Sequence, residues 1–131
     1  MALPVVDRLL PDLKHPRLWL SLQVFGMVSV GVLSLLPAPD MGGSDKLLHF
    51  IAYGAMSGGL ALLLPSWGRR VLGAVLVALY GVLLEYLQGL TGYRMFDPAD
   101  MLANAAGAAC GLVLGLGPLA RGFRRIDSVL G

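Results

Sequence analysis

The chain has 131 residues, 56% of them hydrophobic and only 14% charged, where soluble domains average about 45–50% and about 25%. With a mean hydropathy of +0.75, this excludes an ordinary soluble domain, and the length accommodates four apolar spans without room for a separate soluble unit. The net charge of +2 comes from basic residues at span ends rather than from one patch, which gives nucleic-acid binding little support.

The first apolar run, residues 18–36, carries no charge and closes at Pro37-Ala38-Pro39, a stop for any helix. No small-residue cleavage site follows, so it is expected to be a retained helix rather than a cleaved signal. The second run, 47–64, ends at Pro65, the third, 71–90, ends at Thr91-Gly92, and the fourth covers about 98–119. Glycines within them are ordinary for lipid-spanning helices, whose neighbours approach closely. The lone cysteine, Cys110, lies inside the fourth run, leaving no intramolecular disulfide and no multi-cysteine metal site. The expected fold is all-α: a polytopic membrane protein forming one domain over 1–131, a bundle of four transmembrane helices. The segment before the first run, with Pro4, Pro11 and Pro16, reads at most as a short interfacial stretch.

Positive charge sets the orientation, because short cytoplasmic loops carry the excess of lysine and arginine. Arg8, Lys14, Arg17, Arg69, Arg70, Arg121, Arg124 and Arg125 fall on one side, against Lys46 and Arg94 on the other. Both termini and the middle loop are therefore expected in the cytoplasm, with the first and third loops outside.

Polar residues inside spans are costly, about 2.5–3.5 kcal/mol for a central Asp or Arg on insertion scales, so their positions are informative. Lys46, His49 and Tyr53 follow one another at i, i+3, i+7 on one helix face, just after Ser44-Asp45. Glu85 and Gln88 sit near the outer end of the third run. Arg94, Asp97 and Asp100 follow in the next loop and helix start, and Asn104 lies one turn on. By the charge rule all of these share the outer half of the bundle. Glu85 precedes the end of its span by about five residues, roughly 7 Å, so it either pairs with Lys46, Arg94 or His49 or is protonated. Asp97-Pro98-Ala99-Asp100 has the form of a helix start, with Asp97 as N-cap. Asp100, Asn104, Gly107, Gly111 and Gly115 then form a stripe, polar at its outer end and small at its inner end, suited to packing within the bundle. Four carboxylates (Asp45, Glu85, Asp97, Asp100) face two fixed cations, a balance that suits a divalent ion or a cationic ligand. The Asp45/His49 pair at i, i+4 is by itself a weak metal signal.

The combination Asp45-Lys46-x-x-His49-Phe50-x-x-Tyr53, Glu85-x-x-Gln88 and Arg94-x-x-Asp97-x-x-Asp100-x-x-x-Asn104-x-x-Gly107 resembles the VanZ-like family of small bacterial membrane proteins, from about Asp45 to Gly115. The resemblance implies a multi-pass protein of the bacterial cytoplasmic (inner) membrane, in a family whose founding member is associated with resistance to the glycopeptide teicoplanin. It also places Asp45, Lys46, His49, Tyr53, Glu85, Gln88, Arg94, Asp97, Asp100 and Asn104 at the family's characteristic polar positions.

Three functions fit this pattern. The first is a binding or accessory protein whose outer polar pocket engages a cell-envelope component, either a lipid-linked precursor or a lipid head group. The second is a metal-dependent membrane enzyme acting on lipid phosphates, with His49 or Glu85 as base and Asp45, Asp97 and Asp100 around the metal. Against it stands the absence of G-x-S-x-G and H-E-x-x-H. The third is a small proton-coupled exporter, disfavoured because transporter sites usually lie at the midplane. Membrane lipids are the expected partners, the cofactor is unassigned beyond a divalent metal, and catalytic residues are unassigned.

Overall fold

The computed structural model describes residues 3–38 and 44–131, whose regular elements are all helices. A short helix α1 (Val5–Leu9) is followed by α2 (Pro16–Leu35), α3 (Ser44–Leu63), α4 (Trp67–Leu90), α5 (Pro98–Gly111), a 3₁₀ turn (Leu112–Gly115) and α6 (Gly117–Val129). α2 and α3, at 20 residues each, are about 30 Å long, the thickness of a bilayer's hydrocarbon core. Three helices, α2, α3 and α4, are long and apolar enough to cross a membrane, and a fourth crossing exists only if the bent pair of α5 and α6 is taken as one.

The first three apolar runs coincide with α2, α3 and α4 to within four residues at each end, and the fourth does not form one helix. Pro16 occupies the first turn of α2, where its missing N–H costs nothing, and Leu36 leaves the helix ahead of Pro37; Pro39 lies outside the described residues. α4 starts four residues before the apolar run because Ser66 caps it, accepting the Arg69 N–H at 3.4 Å. The fourth run does not continue as one helix to Leu119. It tightens into the 3₁₀ turn and breaks at Leu116, which is extended, and Gly117, at φ +71°. Pro118 cannot continue the preceding hydrogen-bond ladder, and only glycine adopts that φ without strain. The axis turns by 66° there.

The bundle is organised around α3, which packs on α2, α4 and α5. Tyr53, Met56, Val77 and Ala108 form its buried core, with Met27, Val30 and Tyr80 against them. The α3–α5 contact is backbone on backbone. A Cβ added at Gly111 would lie 2.5 Å from the Gly54 carbonyl oxygen and 2.7 Å from the Gly58 nitrogen, and one at Gly107 would strike the Phe50 carbonyl. The glycine stripe is thus spent on packing inside the bundle, as its spacing predicts. Polar side chains lock the helices further by bonding neighbouring carbonyls: Gln23 to Met56 (2.9 Å), Ser57 to Ala108 (2.6 Å) and Tyr80 to Met27 (2.8 Å). The outward surface is apolar, with Phe25, Leu33, Leu79, Leu83 and Leu102 all exposed, as lipid contact requires.

At the arginine-rich end a second cluster of Leu10, Leu13 and Leu63 packs with Trp19 and Phe123. Asp127 on α6 is its polar centre: the carboxylate accepts the Lys14 N–H (2.6 Å), the His15 N–H (3.0 Å) and the Trp19 indole N–H (2.8 Å). The N-terminal segment is therefore a folded collar tied to α6, more than the interfacial stretch its sequence suggests. Arg69 joins it by donating to the Leu9 carbonyl at 3.2 Å.

Two outcomes follow for stability. Gly107→Ala must part α3 from α5 and should cost about 1–3 kcal/mol, whereas Gly122→Ala, with nothing within 4 Å of its Cβ, should cost nothing; thermal unfolding in detergent compares them. Asp127→Ala leaves three N–H groups without their acceptor and should destabilise by about 2–3 kcal/mol, with a change in Trp19 fluorescence at temperatures where the bundle itself remains folded.

Candidate functional site

The glycine contact between α3 and α5 brings the first turns of both helices side by side at the end of the bundle opposite the collar. Lys46 Nζ donates to Asp97 Oδ2 at 2.8 Å and to Asp100 Oδ1 at 3.1 Å. One turn on, His49 Nδ1 lies 2.9 Å from Asn104 Oδ1; with the amide oxygen as acceptor, Nδ1 carries the hydrogen. Nε2 then faces Asp45 Oδ2 and Asp100 Oδ2, each 3.6 Å away. Below it Tyr53 lies nearly parallel to the imidazole, at 16° and 6.5 Å between centroids.

Asp97 does three things. Its Oδ1 accepts the Ala99 N–H at 2.9 Å and so caps α5 ahead of Pro98, the helix start legible in the sequence. Its Oδ2 takes Lys46. Its own N–H donates to Glu85 Oε1 at 2.6 Å, which gives the buried glutamate a role the sequence does not reveal. Glu85 pairs with none of Lys46, Arg94 and His49 among the described residues. It holds the loop entering α5, and its other oxygen, Oε2, is buried without a hydrogen-bond partner.

Gln88 and Arg94 also turn toward backbone. The last carbonyls of α2 have no intrahelical donors, and three side chains supply them: Gln88 Nε2 to Ser34 (2.8 Å), Tyr93 hydroxyl to Leu35, and Arg94 to Leu36 (3.3 Å). Thr91 Oγ1 shapes the intervening turn, donating to the Gln88 carbonyl and accepting the Arg94 N–H. Tyr93 is absent from the sequence-derived set; among Gly92, Arg94, Met95 and Phe96 its ring gives no distinct signal.

These groups surround an open cleft of about 770 Å³. Asp45, Lys46, His49, Tyr53, Gln88, Arg94, Asp97 and Asp100 line it, while Glu85 and Asn104 stand behind its wall, supporting the Asp97 loop and the His49 ring. Apolar lining comes from two membrane helices, Val30 and Leu33 of α2 and Leu48, Ile51 and Ala52 of α3, while Ser34, Ala38, Tyr93 and Met95 complete the wall. The sequence reading also missed this apolar part, because in a membrane helix such residues are indistinguishable from lipid-facing ones.

A family model described as VanZ/LLP1 matches residues 10–120. The chain belongs to the VanZ-like family. No curated protein and no solved structure matches it. The match reaches back over α2 and part of the collar, so VanZ-like membership covers more of the chain than the polar blocks from Asp45 to Gly115. In this VanZ-like protein the ten polar positions fall into two groups, eight on the cleft and two holding it in place.

The Lys46 ammonium, and after it the Ala99 N–H, hold the Asp97 carboxyl below the usual carboxylate range. A group depressed in the folded state contributes stability above its unfolded value, about 3.9, and loses it as pH falls through the folded value. Asp97→Asn, which keeps the cap, should therefore lower thermal stability at neutral pH, and the gap from wild type should close in strong acid.

Proposed function

We propose that this VanZ-like membrane protein binds an amphiphile of the cell envelope, a lipid head group or lipid-linked precursor, in the cleft between α2, α3 and the α4–α5 loop. The observation that carries this reading is the mixed lining: Lys46, Arg94, His49 and Asp100 share the cleft with Val30, Leu33, Leu48 and Ile51. A head group with anionic and hydroxyl functions suits the first, and a hydrocarbon chain entering between α2 and α3 suits the second. Arg94 supports it too, since its exposed hydrogen bond to Leu36 leaves most of its five donors for a ligand. Eight basic residues at the opposite end support an outward-facing cleft in the inner membrane, with both termini in the cytoplasm. A link to glycopeptide resistance would follow if the amphiphile were a cell-wall precursor.

A second reading is favoured by one geometric fact. Ligand atoms of Asp45, His49 and Asp100 lie within 4.8 Å of one another, and Asn104 fixes the His49 ring as outer-shell partners of metal-bound histidines do. A divalent ion there would act as a Lewis acid on a head-group phosphate. The metal ligands would then be Asp45, His49 and Asp100, because Asp97 is engaged by Lys46 and by its cap. A proton-coupled exporter has less support, the polar groups lying at one end of the helices rather than midway.

Native mass spectrometry on protein released gently from membranes tests both. Wild type should retain an amphiphile that Arg94→Ala reduces by roughly tenfold, the loss of about one charge-assisted contact, and that Ile51→Trp reduces to a similar extent by filling the cleft, with thermal unfolding little changed in both. Retention at wild-type levels in both variants would remove the binding reading. A divalent metal adduct lost in His49→Ala would favour the second.

A further inference from the structure

The arginine-rich end carries a surface that neither the bundle nor the cleft explains. Along α6, Leu119, Phe123 and Ile126 recur at i, i+4 and i+7 on one face, while Arg121, Arg124, Arg125 and Ser128 occupy the opposite one. Phe123 packs edge-on against Trp19, centroids 4.8 Å apart, but Leu119 and Ile126 are 61% and 52% exposed. Three further observations say what covers them. The axis turns by 66° at Gly117, so α6 lies nearer the bilayer plane than the normal when α5 stands upright. Asp127, held by Lys14, His15 and Trp19, fixes the roll of α6, which prevents the apolar face from turning inward to the bundle. Arg121 and Arg125 are exposed, and Arg8, Arg17 and Arg69 belong to the same end, so that even with Asp7 paired to Arg17 and Asp12 to Arg124 this end carries an excess of positive charge.

We propose that α6 is an in-plane membrane helix, with Leu119 and Ile126 in the upper acyl region of the protein's own bilayer and Arg121 and Arg125 bound to anionic lipid head groups. The amphipathic pattern supplies depth and the arginines supply preference for negative charge. Nothing in this depends on what occupies the cleft, which lies at the other end of the bundle.

The test uses the full chain in nanodiscs of phosphatidylcholine with or without phosphatidylglycerol, in a Cys110→Ser background. An environment-sensitive fluorophore on Ile126→Cys should emit as from an apolar medium and be quenched by a lipid-borne quencher, while the same probe on Ser128→Cys should be quenched by iodide. Arg121→Gln together with Arg125→Gln should lower the preference for phosphatidylglycerol over phosphatidylcholine adducts in native mass spectra by roughly an order of magnitude. Iodide quenching at 126 equal to that at 128 would overturn the proposal. So would an unchanged lipid preference in the arginine variant, or crosslinking of two chains through position 126, which would make the stripe an interface between copies.

Discussion

The contact on which the structure depends is the one without side chains. Gly107 and Gly111 of α5 rest on the backbone of α3 at Phe50, Gly54 and Gly58, so the two helices approach as closely as backbones allow. Long side chains in place of these glycines would separate the axes by several ångströms. Lys46 would then fall short of Asp97 and Asp100, and His49 short of Asn104. The polar end is thus set by the apolar middle: small residues two and three turns into the membrane determine which charged groups meet at its edge.

Within the bundle, most long-range hydrogen bonds run from a side chain to a backbone carbonyl. Gln23, Ser57, Tyr80 and Gln88 each reach a carbonyl of a neighbouring helix. Carbonyl oxygens have two lone pairs, so a helix can keep its own ladder and still accept from next door. Such bonds fix helix rotation without placing charge in the hydrocarbon, and each donor is buried or half-buried at its acceptor.

This habit also explains what could be read from the sequence. Hydropathy with Pro37 and Pro65 located the first three long helices, Asp97-Pro98 marked the start of α5, and the glycine spacing gave its packing face. That Lys46, His49 and Tyr53 share one face of α3 was legible from helical periodicity, but not that this face meets α5. The partners of Glu85, Gln88 and Arg94 were not, because they are main-chain groups, which leave no letter in the sequence. The break at Gly117-Pro118 was hidden by the continuous apolar character of residues 112–119, although the dipeptide itself carries the signal. The collar was missed for a related reason: Asp127 stands alone among arginines and would be expected to pair with one, whereas it accepts from two backbone N–H groups and an indole.

That aspartate gives the chain an order of assembly. Lys14 and Asp127 are 113 positions apart in sequence, so this clasp can close only after α2 to α6 have all been synthesised. It joins the segment that precedes α2 to the helix that follows α5. A single carboxylate thus holds the N-terminal segment and α6 together, so whatever loosens one of them frees the other.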